Sequence, residues 1–280
     1  MVAVTGGSGR LGRAVLEELS RHGFTTTNFD QGPDGGLADQ FVRGDILDGE
    51  RVAAWMAGAD ALIHLAAIPA PGLASPDWLT QVNVMGTYRV LAAAAATGIR
   101  RVVLASSVSA LGMAWGRRFL PRYLPIDERH PLWPEDEYGV SKQVNEVYAR
   151  AFARRFDLTI AMLRFPTIVD HSTIARFKAQ LQDHPEQAAR LLWSYVDVAD
   201  AARACRWALE ADLKGAHCYY ITAADHLAGE HVEGWLQEYF PGVPRKPDFK
   251  PTESLISSGA AGTALGYVPR VRWSDGKRPG

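Results

Sequence analysis

The 280-residue chain carries 30 basic against 31 acidic residues and is 47% hydrophobic. It has apolar content for a sizeable core, and no charge excess points to nucleic acid or an anionic membrane as partner. Its longest apolar runs, such as residues 90–96, are too short to cross a bilayer, and its first residues lack the pattern of a secretory signal. Cys205 and Cys218 support neither a disulfide framework nor a zinc cluster. They are expected as small buried apolar groups in a soluble cytoplasmic protein without a metal.

Residues 1–5 form a short apolar run that leads directly into Gly6-Gly7-Ser8-Gly9-Arg10-Leu11-Gly12 and then into helical spacing at Leu11, Val15 and Leu19. Strand, glycine turn and helix in that order form a phosphate site. The glycines permit a tight turn and close approach to a pyrophosphate, and the helix start offers N–H groups and partial positive charge. A second strand is predicted over 24–29 and ends at Asp30, at the distance where an acidic residue takes the adenosine ribose hydroxyls and repels a 2′-phosphate. This favours NAD over NADP, and an ordinary turn aspartate is the alternative.

A third strand over 40–43 runs into Gly44-Asp45-Ile46, where Asp45 and Ile46 are placed to flank an adenine, while Asp48 suits the cap of the next helix. Residues 61–65 read as a buried strand ending in small residues, Leu65-Ala66-Ala67, that leave room for a ligand; His64 within it is expected to be packed. A long helix is predicted over 75–97, with Ser75 as N-cap, Pro76 at its first position and Gly98 as its stop. It carries Asn83 among apolar neighbours, suited either to a proton relay or to binding a neighbouring backbone.

Residues 101–105 form another strand, ending in Ser106-Ser107-Val108-Ser109. Residues 111–135 are irregular and rich in proline, tryptophan and arginine, the pattern of either a functional lid or a misread element. A helix over 136–156 follows with Tyr138 and Lys142 four apart, and therefore on one face. An ammonium beside a phenol favours the phenolate, which brings a proton-transfer group toward neutral pH. Val144, Val147 and Phe152 are expected on its apolar positions. A strand over 158–164, helices over 171–190 and 198–211, a strand over 216–222 and a helix closing at 235–240 complete the reading. The fold expected is α/β, a doubly wound Rossmann-type parallel sheet, with residues 1–165 as the dinucleotide-binding domain. Residues 166–280 form mostly a smaller C-terminal substrate lobe, with the chain crossing back into the first.

Thr5-Gly6-Gly7-Ser8-Gly9-Arg10-Leu11-Gly12, the acidic end of the second strand, Gly44-Asp45-Ile46, Leu65-Ala66-Ala67, Asn83, Ser106-Ser107 and Tyr138-x-x-x-Lys142 resemble, in order and spacing, the extended short-chain dehydrogenases/reductases of the NAD-dependent epimerase/dehydratase family. The segment 195–202 and Leu265-Gly266-Tyr267-x-Pro269 resemble later parts of that family. The resemblance implies NAD as cofactor, with Tyr138 as general acid or base, Lys142 on the nicotinamide ribose and Ser107 on the reacting oxygen. It further implies Pro166 and Ile168 beside the nicotinamide, Thr167 near the substrate, and a homodimer built on the helices over 75–97 and 136–156. The Thr-Asp-Glu of dehydratases is replaced by Ser107-Val108-Ser109, which argues against dehydration. Where nucleotide-sugar enzymes often carry an arginine, this chain has Trp193, and Arg117 and Arg118 are alternative anion clamps. The reading is an NAD-dependent oxidoreductase acting on a sugar-like or sugar-acid substrate. The alternatives are a sugar or nucleotide-sugar epimerase and, more remotely, a non-catalytic dinucleotide-binding sensor.

Overall fold

A computed structural model describes residues 1–116 and 120–273 of the chain. Strands β1 (Val2–Thr5), β2 (Thr26–Asp30), β3 (Gln40–Arg43), β4 (Ala61–His64), β5 (Arg101–Ser107), β6 (Thr159–Phe165) and, from later in the chain, β9 (Ala216–Tyr220) form one sheet in the order β3-β2-β1-β4-β5-β6-β9. Every neighbouring pair in it is parallel. The order reverses between β1 and β4, which opens a crevice at the strands' carboxyl ends.

Side-chain alternation divides the core between the two faces of the sheet. Ile63, Val103 and Leu163 face a layer with helices α1 (Arg10–Arg21) and α8 (Val198–Glu210), while Leu62, Val102 and Met162 face a layer with α2 (Gly49–Met56), α4 (Thr87–Thr97) and α5 (Glu137–Phe156). The segment 198–220 thus returns to the first layer, α8 packing on α1 and β9 adding to the sheet edge.

The predicted helix over 75–97 is one rod with an inserted wide turn. Short α3 (Pro76–Thr80), capped by Ser75 at 3.3 Å, passes through a π-helical turn (Gln81–Gly86) into α4, which stops at left-handed Gly98. Such turns occur mostly at functional sites, and this one holds Asn83. The helix predicted over 171–190 is instead two, α6 (Ile174–Asp183) and α7 (Pro185–Ala189), because Pro185 has no N–H to continue the ladder. Between them and α8 lies β8 (Tyr195–Asp197), paired with β7 (Thr167–Val169) in a separate small sheet. Helices α9 (Val232–Tyr239) and α10 (Gly259–Leu265) end the described fold. Residues 112–135 carry no helix or strand among those described.

Two packing expectations are corrected. Val147 is 60% exposed on α5 rather than apolar core. Cys205 is buried as expected, but Cys218 is only partly so and its thiol donates to Glu146 at 3.5 Å.

Candidate active site

The crevice is a cleft of about 960 Å³, near the upper end of ordinary ligand sites. Its floor is the loop from β1 to α1, where backbone meets backbone. A Cβ on Gly6, whose φ is +76°, would lie 2.5 Å from the Ala66 nitrogen, and one on Gly12 would lie 2.1 Å from the Gly6 carbonyl oxygen. Gly9 caps α1 with extended backbone and no side-chain hydrogen bond, so the helix start is left to the cleft. Gly6, Gly9, Arg10, Leu11 and Gly12 all line it.

Asp30 ends β2 on the next wall. Its carboxylate accepts from Ser8 N at 3.0 Å and Gly32 N at 3.1 Å, which fixes it beside the glycine loop. Asp45 accepts from Gln31 Nε2 at 3.1 Å and Leu47 N at 2.9 Å, and Ile46 follows it. Both line the cleft, as do Leu65, Ala66 and Ala67 at the end of β4. A side-chain-free cradle, an uncapped helix start and a carboxylate one strand away fit the pyrophosphate and ribose of a dinucleotide. His64 is buried between the Thr5 and Thr87 hydroxyls at 2.6 and 3.0 Å, and burial followed by the Lys142 charge drives its pKa down to about 3. It is a packed neutral histidine.

Across the cleft, Asp136 caps α5 by accepting from Gly139 N at 2.8 Å. A Cβ on Gly139 would lie 2.6 Å from the Ser109 carbonyl oxygen, so glycine lets the helix start approach the end of β5. That approach brings the Tyr138 phenol beside the Ser107 side chain, whose Oγ accepts from Ser109 N at 3.0 Å. Lys142 donates to the Ala105 carbonyl at 3.1 Å, and its Nζ lies 5.5 Å from the Tyr138 ring centre. All three line the cleft, and each is at least nine-tenths buried.

Burial governs their protonation. It pushes the Tyr138 phenol up to about 12, against the Ser107 hydrogen bond and with the Asp136 charge, and it pulls Lys142 down to about 8 against the Glu146 charge. The depressed phenol expected from the Tyr138–Lys142 spacing is therefore not found in the chain by itself: desolvation of the phenolate dominates, and the Lys142 charge is not among the influences on it. At neutral pH the pair is a phenol and an ammonium.

Pro166, Thr167 and Ile168 line the cleft where β6 passes into β7. Asn83 does not line it. The side chain is fully buried, accepts from Ile68 N at 2.8 Å and donates to Ile68 O at 3.0 Å, so it ties down the strand end that forms the wall. Trp193 is also misplaced by sequence: it is fully buried and stacked 5.4 Å from Trp235 in the C-terminal core, and Leu191 lines the cleft instead. A left-handed Leu192–Trp193 turn points the indole inward, a feature without a sequence signal. Arg117 and Arg118 lie outside the described residues. Trp78 and Trp115, not singled out in sequence, line the cleft about half exposed. Trp115 belongs to the irregular stretch read as a lid.

The fold and this geometry agree with comparisons to known proteins. A model of the NAD dependent epimerase/dehydratase family matches residues 2–221. An L-arabinose 1-dehydrogenase (NAD(P)(+)) of Haloferax volcanii is 31% identical over 76% of this chain and 83% of its own length. A putative UDP-glucose 4-epimerase of Methanocaldococcus jannaschii is 30% identical over 60% of this chain, and the match spans about half of that protein, 56%. A solved short-chain dehydrogenase/reductase superfamily protein from Agrobacterium tumefaciens with bound NAD shares 26% identity and superposes with a TM-score of 0.75 over 98% of this chain and 93% of that one.

Proposed function

Because this chain belongs to the NAD-dependent epimerase/dehydratase family, we propose that it is an NAD-dependent oxidoreductase of the extended short-chain type. It acts on a secondary hydroxyl or carbonyl of a sugar-like or sugar-acid substrate. The observation that carries the reading is the buried Ser107–Tyr138–Lys142 set at the edge of a cleft whose floor is a bare glycine loop. A binding module needs the loop but not the set, which argues against a sensor.

When bound, NAD supplies the hydride acceptor or donor. Gly6, Gly9, Arg10, Leu11 and Gly12 seat the pyrophosphate, Asp30 takes the adenosine ribose, and Asp45, Ile46, Leu65, Ala66 and Ala67 enclose the adenosine end. Pro166 and Ile168 border the nicotinamide, and Asn83 acts indirectly, through the Ile68 backbone and through Ser141 of α5, to which its Nδ2 donates at 3.3 Å. Ser107 holds the reacting oxygen by a hydrogen bond. Tyr138 gives that oxygen a proton in reduction or takes one in oxidation. Lys142 has donors left beyond its bond to Ala105 for a ribose hydroxyl, and its charge supports phenolate as it forms.

On the substrate side, Thr167 is a polar contact, and Trp115 and Trp78 present indole faces suited to the apolar face of a sugar ring. Trp193 is withdrawn from this role. The same residues would serve an epimerase that uses the cofactor without net turnover; likeness to the Methanocaldococcus protein supports this second reading. Residues 1–165, with the returning segment 198–220, form the dinucleotide-binding unit, and the rest from 166 is the substrate lobe. No helix among the described residues is long and apolar enough to cross a membrane, and we place the protein in the cytoplasm. Met85, Tyr88, Val140 and Val147, each 40–60% exposed on the α3–α4 rod and α5, present an apolar face for a homodimer.

Purified protein incubated with NAD and a panel of neutral sugars and sugar acids is expected to form NADH in step with oxidised product. Interconversion of stereoisomers without NADH would replace this reading with the epimerase. NAD binding with no turnover on any substrate would leave the sensor.

A further inference from the structure

Behind the cleft, one turn beyond Lys142 on the same face of α5, lies a carboxylate with no exposure at all. Glu146 accepts two hydrogen bonds from Arg164, from Nε at 2.8 Å and from Nη2 at 2.7 Å, and one from Ser106 Oγ at 2.8 Å. Arg164, itself 2% exposed, spends its remaining nitrogen on the Tyr220 hydroxyl at 2.9 Å. A buried ion pair of this kind seldom adds net stability over an apolar pair of the same size, so its presence asks for another reason.

Its placement supplies one. Ser106 precedes Ser107, and Ala105 holds the Lys142 ammonium, so α5 grips three successive residues of β5 through Lys142, Glu146 and Tyr138. We propose that Glu146, held by Arg164, is a positioning residue of the reaction: it keeps the Lys142 ammonium charged in its dry pocket and fixes the end of β5 so that Ser107 faces Tyr138. This rests on the proposed reaction.

The groups around the pair are few. On α5 they are Tyr138 and Arg150, the latter 3.4 Å from Glu146; from β6 comes Arg164, from β9 Cys218 and Tyr220, from β4 His64, and from the irregular stretch Glu128, which accepts from Tyr220 N at 2.9 Å and acts on Arg164 rather than on Lys142. Cys218 and Tyr220 are pushed upward by burial and His64 downward, so all three are neutral near pH 7. Glu146 is therefore the one anion acting on Lys142 among these neighbours. Burial opposes its ionisation, and the Arg164 hydrogen bonds and charge prevail to keep it ionised.

The first test needs no substrate. Lysine labelled with carbon-13 at Cε gives an NMR titration of each lysine, with Lys142 assigned from Lys142→Arg. Glu146→Gln is expected to lower the Lys142 midpoint by about one pH unit, the size of a nearby charge's effect. Glu146→Asp, which keeps the charge, is expected to restore most of it. An unmoved midpoint in Glu146→Gln overturns the proposal, whereas failure of the wild type to bind NAD overturns the functional reading and leaves the titration standing. Ser106→Ala, a milder change that keeps the fold if Glu146→Gln does not, is expected to lower kcat about tenfold with an unchanged NAD dissociation constant, the measure of lost alignment. Wild-type kcat in that variant overturns the proposal as well.

Discussion

Gly12 and Gly6 approach so closely that a Cβ on Gly12 would lie 2.1 Å from the Gly6 carbonyl oxygen and 2.5 Å from the Gly7 Cα. Both atoms are backbone, so nothing flexible can give way. Gly12→Ala is expected to reshape the loop at a cost of about 1–3 kcal/mol. It should weaken NAD binding by roughly tenfold or more, since about 1.4 kcal/mol is a factor of ten. Calorimetric titration with NAD checks it.

Asp30 sits at the end of β2 with both carboxylate oxygens turned to the loop beside the cleft. A second anion brought to that carboxylate is repelled. Asp30→Ser is expected to raise the NAD dissociation constant and lower that of NADP, shifting their ratio by about tenfold or more, as ~1.4 kcal/mol of removed repulsion would do. Comparing the two cofactors by binding in wild type and variant decides it, and an unchanged ratio would remove Asp30 from the ribose site.

The pH dependence follows from a phenol near 12 and an ammonium near 8, both set first by burial. Oxidation requires Tyr138 without its proton. Its kcat/KM should climb about tenfold per pH unit while Lys142 stays charged, then level off above about 8, where Lys142 loses its proton. Reduction uses the neutral phenol, present throughout this range. It should be flat below about 8 and decline above it. Profiles in both directions check the signs.

Val147 is 60% exposed and Tyr88, which packs 5.4 Å from Tyr148, is 40% exposed on the neighbouring helix. A carboxylate at the centre of this face would be buried unpaired in a dimer and solvated in a monomer. The wild type is expected to sediment as a dimer and Val147→Asp as a monomer, with little change in melting temperature of the monomer fold.

Much of this was readable from residue order. The glycine loop, the acidic end of β2, the caps at Asp48, Ser75 and Gly98, and the Tyr138–Lys142 spacing are local patterns, and local patterns survive folding. Trp193, Asn83 and Val147 were harder because their surroundings come from distant parts of the chain. A left-handed turn hides Trp193, the Ile68 backbone and Ser141 engage Asn83, and Val147 falls on the outer side of its helix. Glu146 and Arg164 left a faint trace, an acid one turn after Lys142 and an arginine inside an apolar strand. Nothing local said that the two meet. The protonation of Tyr138 was misjudged for the same reason, since spacing reveals a neighbouring charge but not the depth of burial.

The central claim is that Tyr138, held by Ser107 and flanked by Lys142, moves the proton while the glycine loop holds the cofactor. The most direct measurement is a paired assay of Tyr138→Phe, with turnover on the substrate found in the panel and NAD binding by titration. Turnover is expected to fall by ~10²–10⁴, the range for removing a general acid or base, with NAD affinity within about threefold of wild type, a change of under ~1 kcal/mol. Wild-type turnover in this variant would contradict the account.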